Sequence, residues 1–338
     1  MERRAVSVGG RTIADVVKAA QQAEDAGFDV VWFNDNTGVD GFIGLTAMAL
    51  NTRRVTLGSG IARAFVRACT VTAVAAADLD EISQGRFLLG LAGGTPRQNQ
   101  VESSVTVPHP VPQMRELITI LRRCWAAHTP QEIKFEGQFY SIHLRQFRRA
   151  VVYQPTIPIY MAAVREKMLQ LTGELCEGLA GHPVNSVRFI KEFIEPNIAI
   201  GLRRAGRKRE DFTLSSWILT AISNDRAQAR REAAAQIAFY LTTRSYSHIP
   251  DLQGWTRQRM AIQEAFHVKR DLTAMIDAVT DDMIDAMSLA GTPDEVRKKF
   301  EAYRGVVDLP TFQVPGILMD QSRREEAQRL LFEVFGKH

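Results

Sequence analysis

Asp35 and Asn36 lie just past the end of the apolar run Phe28–Phe33, and small or polar residues recur wherever such a run ends. Ser59, Gly60 and Ile61 close the run that starts at Val55, and Gly93, Gly94, Thr95 and Gln98 follow Phe87–Ala92. Ala163, Val164 and Arg165 follow Ile157–Ala162, while Gly181, His182, Asn185 and Ser186 follow the segment that starts at Glu177. A carboxylate or an imidazole can exchange a proton near neutrality, whereas asparagine, threonine and glutamine only exchange hydrogen bonds. A glycine pair leaves backbone where side chains would stand, so a flat or bulky group can lie against it. Only one carboxylate, Asp35, and one histidine, His182, stand at these positions. That scarcity excludes a glycosidase, which needs two opposed carboxylates. There is no His-x-His or His-Glu-x-x-His, so no metal site is expected. Gly58-Ser59-Gly60 lacks the Gly-x-Ser-x-Gly spacing of a serine hydrolase. Polar points on a smooth surface suit chemistry carried by a bound organic cofactor that the protein orients.

The elements that must position these residues alternate along the chain. Strands are expected at Ala5–Val8, Phe28–Phe33, Val55–Ile61, Phe87–Ala92, Ile157–Ala162, Glu177–Gly181, Phe212–Ile222 and Val307–Val314, with helical periodicity between them. Short apolar strands separated by helices imply parallel pairing. Eight such units predict an α/β fold of the (β/α)8 TIM-barrel type over residues 1–338, with the strand ends gathered at one mouth. An open doubly wound sheet is the alternative, but Val8-Gly9-Gly10-Arg11-Thr12 is a weak match to the Gly-x-Gly-x-x-Gly turn of a dinucleotide fold. Two insertions break the repeat, at about 129–156 and 241–287, after the fourth and seventh strands.

The composition, 45% hydrophobic and 24% charged over 338 residues, is that of a globular protein. No run of apolar residues is long enough to span a membrane, and the first residues have no signal-peptide core. Cys69, Cys124 and Cys176 are widely separated in apolar surroundings and read as buried thiols in a reducing cytoplasm. The net charge is +4, and the basic stretches Arg145–Arg149 and Arg203–Arg209 lack aromatic interleaving, so no nucleic-acid partner is expected.

Six stretches carry a resemblance: Ala23-Glu24-Asp25-Ala26-Gly27-Phe28-Asp29-Val30-Val31-Trp32 with Asp35, Thr52 to Gly60, the run from Ala76 through Gly85-Arg86-Phe87 to Leu91 with its most specific part from Leu79 to Gly90, Ile157 to Ala163, Gly173 to Gly178, and Leu289-Ala290-Gly291-Thr292-Pro293-Asp294-Glu295-Val296. With these the chain resembles the luciferase-like monooxygenase superfamily of flavin and deazaflavin barrels, and most nearly its oxidoreductases dependent on the deazaflavin coenzyme F420. The resemblance implies hydride transfer between the deazaflavin and a small organic substrate, with a reduced-flavin (FMN) monooxygenase as the alternative and a degenerate, non-enzymatic barrel as the third. It places a non-proline cis bond at Gly60-Ile61 or its neighbour, behind the ring. It puts Asp35 and Asn36 at the polar edge of the ring or the substrate, and Thr95 and Gln98 beside the reacting centre. Ser59, Gly60, Ile61, Ala163, Val164 and Arg165 would contact the cofactor, and Gly181, His182, Asn185 and Ser186 would cradle its phosphate. His182 is the expected acid or base, with Asp35, Asn36 and Gln98 as further catalytic candidates. Asn36 stands where relatives often have histidine, and Val164-Arg165 replaces a common Gly-Gly pair. A homodimer is implied as well, through helices near the second to fourth strands.

Overall fold

The computed structural model describes residues 3–34, 38–149 and 151–337; Asp35 and Asn36 lie outside the described residues. Twelve strands appear in it: β1 (Ala5–Val8), β2 (Val30–Phe33), β3 (Thr56–Ser59), β4 (Ala62–Arg63), β5 (Phe87–Ala92), β6 (Gln131–Glu136), β7 (Ser141–Phe147), β8 (Ile159–Met161), β9 (Gly178–Gly181), β10 (Thr213–Ile222), β11 (Ser288–Gly291) and β12 (Leu309–Gln313). Eight of them close a parallel barrel in the order β1-β2-β3-β5-β8-β9-β10-β12 and back to β1. The barrel predicted from the alternation is therefore present. β4 continues β3 past a break and pairs with the end of β5, and β11 runs beside the last residues of β10. The antiparallel hairpin β6–β7 occupies the first insertion, between the fourth and fifth barrel strands.

The barrel strands are buried on both faces, because the interior and the helices cover them. Val30 and Trp32 turn into the barrel, where they meet Leu88, Tyr160, Trp217 and Leu309, while Val31 and Phe33 join the larger core beneath the helices. The ring centroid of Trp32 lies 4.8 Å from that of Trp217 and 5.7 Å from that of Tyr160. Room for this indole is made by missing side chains. A Cβ on Gly58 would stand 2.4 Å from the Trp32 ring, and one on Gly60 would stand 3.0 Å from its Cβ.

The stretches that carried the resemblance mostly fasten the loops that lead into the strands. The Arg86 guanidinium donates to the carbonyls of Ala49, Thr52 and Val55 and to the Thr52 hydroxyl, closing off helix Gly41–Asn51. Glu24 accepts from the amides of Arg53, Arg54 and Val55 just before β3. Burial opposes the charge on Glu24, but these amides outweigh it and hold the carboxyl below its ordinary range. Thr292 and Glu295 form a capping box at the start of helix Pro293–Phe300, and Gly291 precedes it at φ +147°.

Candidate active site

A cavity of about 940 Å³ opens at the C-terminal ends of the barrel strands. One wall is the break between β3 and β4, where the Gly60–Ile61 peptide bond is cis. There the ladder from β3 to β5 is interrupted, and the Ser59 hydroxyl takes its place. It accepts from the Gly90 amide and donates to the Gly90 carbonyl, both at 2.9 Å.

The second wall is the end of β5, Ala92 to Thr95 with Gln98. Gly94 has φ +69°, and a Cβ on it would fall 2.4 Å from the Asn99 side-chain oxygen. Asn99 is buried and donates to the Gly93 carbonyl at 2.7 Å, so it shapes the glycine pair from behind. The Thr95 hydroxyl caps helix Pro96–Ser103 by accepting from the Gln98 amide at 3.2 Å. Gln98 and Arg63 both donate to the Glu102 carboxylate, at 3.2 and 2.9 Å.

The third wall runs from Ala162 to Met168, through the end of β8 into helix Glu166–Leu175. No side chain caps this helix, so its first amides are open toward the cavity rim beside Arg165 and Lys167. Lys167 has no ion-pair or hydrogen-bond partner among the described residues, whereas Arg165 donates to the Ser245 carbonyl at 3.1 Å. The only acidic residue on the described lining is Glu166, which accepts from Gln170 at 3.2 Å.

The fourth wall joins His182, past β9, to Tyr246 and His248 of the second insertion. The His182 ring lies 4.3 Å from the Tyr246 ring and 4.9 Å from the Tyr240 ring. Its Nδ1 accepts from the Val184 amide at 3.3 Å, which leaves the proton of the neutral ring on Nε2. His248 bonds to the Val164 carbonyl and so ties the insertion to the end of β8.

A model of the luciferase-like monooxygenase family matches residues 2–308. The chain belongs to that family. Among relatives of this luciferase-like chain is a 5,10-methylenetetrahydromethanopterin reductase of Archaeoglobus fulgidus, 31% identical over 283 residues that cover 81% of each chain. A Mycobacterium tuberculosis protein of uncharacterised function is 33% identical over 314 residues, 89% of this chain and 90% of that one. The solved coenzyme F420-dependent tetrahydromethanopterin reductase of Methanopyrus kandleri superposes with a TM-score of 0.84 at 24% identity, covering 98% of this chain and 97% of the other. This last likeness is one of fold.

In the luciferase-like chain, Gly60, Ile61, Thr95, Gln98, Ala163, Val164, Arg165 and His182 come together around one cavity. Ser59, Gly181, Asn185 and Ser186 do not line it. Ser59 is engaged with Gly90, and Gly181 is buried where a Cβ would meet the Ser216 hydroxyl at 2.9 Å. The Ser186 hydroxyl caps the following helix at the Phe189 amide and bonds to Gln253. Asn185 is buried beside them, and neither atom of its side-chain amide has a partner among the described residues. Sequence reasoning passed over Lys167 and Asn99. It saw Tyr246 and His248 only as parts of an insertion that could shape the site.

Burial pushes the His182 imidazole down to about 3, so the ring is neutral in this chain at any ordinary pH. The unfolded chain takes up the proton first on acidification. The contribution of His182 to stability is therefore complete above its ordinary value of 6.5 and is lost as the pH falls toward about 3. In a histidine NMR titration its ring resonances are expected to stay fixed from about pH 8 to about pH 5. A midpoint near neutrality would show that this ring is hydrated instead.

Proposed function

We propose that this chain is an F420-dependent oxidoreductase acting on a small organic substrate in the barrel mouth. The observation that carries the reading is the shape of the cavity wall. Ile61, Ala92, Gly93, Ala162, Ala163 and Val164 offer a surface of small and aliphatic groups, and this surface leads to open helix amides beside Arg165 and Lys167. An aromatic head with an anionic tail matches that sequence of surfaces. Membership of a flavin and deazaflavin family supports the same class of cofactor.

In this reading Gly60, Ile61 and Gly93 would back the ring, and Ala163 to Lys167 would hold the tail. The deazaflavin supplies two-electron hydride chemistry when bound. The chain's own part is to orient and to exclude water. His182, with its proton on Nε2, and Tyr246 are donors on the inner wall of the mouth, and the Tyr246 hydroxyl has no hydrogen-bond partner among the described residues. Burial raises Tyr246 above its ordinary value, which keeps the phenol protonated and able to donate to a substrate oxygen.

Titration of the purified protein with F420 and with FMN tests the proposal. Saturable F420 binding at micromolar level with weaker FMN binding is expected. Tighter binding of FMN would replace the reading by a reduced-flavin monooxygenase, and binding of neither would remove the enzyme reading.

We also propose that the chain acts as a homodimer in the cytoplasm. Helices Gly41–Asn51 and Cys69–Ile82 pack side by side and leave Ile43, Leu50, Val71 and Val74 exposed, apolar side chains that a partner subunit would cover. Among the described residues no helix is long and apolar enough to cross a membrane. Replacing Leu50 and Val71 together by glutamate is expected to halve the mass measured by sedimentation. An unchanged mass would place the interface elsewhere or leave none.

A further inference from the structure

A second cavity, of about 710 Å³, lies on the outside of the barrel and shares no lining residue with the mouth. It is framed by the start of the helix after β9, the segment after Leu252, β11, and helix Pro293–Phe300 with the turn Glu301–Tyr303. Trp255 closes one side, its indole N–H donating to Asp282 at 2.6 Å. Gln253 is fastened beside it by Ser186 and by the Ile249 carbonyl.

Most charged groups in this wall are already paired. Asp285 takes Arg230 and Lys299, each at 2.7 Å. Glu295 takes Arg226 at 2.9 Å and the Thr292 amide at 2.9 Å. Arg188 takes Glu192 at 2.9 Å. Two groups are left over. The ammonium of Lys298, an exposed residue at the rim, has no ion-pair or hydrogen-bond partner among the described residues. Tyr303 is only 5% exposed, yet its hydroxyl has no hydrogen-bond partner among them either. The ring is buried while the hydroxyl oxygen keeps accessible surface at the cavity, and burial holds it protonated, as a donor.

We propose that this cavity binds a small amphipathic carboxylate, its apolar body against Trp255, Val187 and Leu289 and its two oxygens toward Lys298 and the Tyr303 hydroxyl. One ammonium and one phenol match the charge and the acceptors of a carboxylate. A dianionic phosphate would face a single free cation with the Asp285 and Glu295 carboxylates close by. The volume is that of a small-ligand pocket.

The test uses hydrocinnamate as the probe and hydrocinnamyl alcohol as its uncharged counterpart, titrated into the full chain by calorimetry. Saturable binding of the acid is expected, about tenfold tighter than that of the alcohol. Lys298→Ala and Tyr303→Phe are each expected to weaken it about tenfold. Tyr303→Phe removes no hydrogen bond from the fold, so its melting temperature is expected to match that of the parent, which separates lost binding from lost structure. Equal affinity for acid and alcohol, parental affinity in both variants, or no saturation would overturn the proposal. So would displacement of the probe by F420 or FMN, since the probe would then occupy the mouth.

Discussion

Gly90→Ala is expected to destabilise the barrel by about 3 kcal/mol, more than an added methyl at any other glycine of the barrel strands. A Cβ at position 90 would fall 1.9 Å from the Ser59 carbonyl oxygen, and behind it stands the Trp32 ring at 3.2 Å. Neither neighbour is the loose end of a flexible side chain. Relief requires β5 to move away from β3, which breaks both bonds between the Ser59 hydroxyl and Gly90. Gly9→Ala is the control, because no atom lies within 4 Å of a Cβ there. Urea denaturation of the two variants beside the parent measures the difference. A Gly90→Ala midpoint equal to that of Gly9→Ala would show that the break between β3 and β4 is not packed as described.

The second large effect concerns the rim. Reversing both charges, Arg165→Glu with Lys167→Glu, is expected to weaken F420 binding about a hundredfold at low salt. Two anion contacts of about 1.4 kcal/mol each multiply to that factor. The loss is expected to shrink as salt is added, because both side chains are exposed and screening reaches them. A deazaflavin lacking the anionic tail serves as the second ligand, and its affinity is expected to change little. Equal losses for both ligands would mean that the substitutions disturb the ring pocket rather than the tail. No loss for either would move the tail away from helix Glu166–Leu175.

The eight barrel strands were legible because strands covered on both faces read as continuous apolar runs. β10 spans Thr213–Ile222 against an expected Phe212–Ile222, and β12 spans Leu309–Gln313 within an expected Val307–Val314. What escaped has equally physical causes. β4 is two residues long, too short for any period to show, and β11, Ser-Leu-Ala-Gly, holds a single large apolar residue and so makes no apolar run. Helix Pro96–Ser103 is almost wholly polar, with only Asn99 buried, so it carries no apolar stripe. Its start signal, Thr95 followed by Pro96, was visible, but a threonine at a strand end reads equally as a ligand contact. Ser59 posed the same ambiguity, since a hydroxyl serves a backbone or a cofactor with the same two bonds.

The strand-end part of the mouth could be read because barrel geometry places those residues before any coordinate is known. Tyr246 and His248 could not be placed in the same way. They come from an insertion whose path depends on the bond from His248 to Val164 and on the packing of the His182 ring against Tyr246. Neither is a periodic signal. Lys167 was hidden for another reason. A lysine in the first turn of a helix looks like ordinary solvated surface until the missing cap and the adjoining cavity are seen together.

The indole of Trp32 has a further consequence, an evolutionary one. A side chain at position 58 is barred chiefly by that ring, so the glycine there depends on the tryptophan, whereas position 60 is also closed by the Trp217 ring, 3.1 Å from where a Cβ would stand. A smaller residue at 32 would leave a void that alanine or valine at 58 could fill, whereas either change alone is harmful. The order of substitution then decides which intermediates survive. Positions 32 and 58 form a linked pair of this kind, and homologues that differ at one are expected to differ at the other.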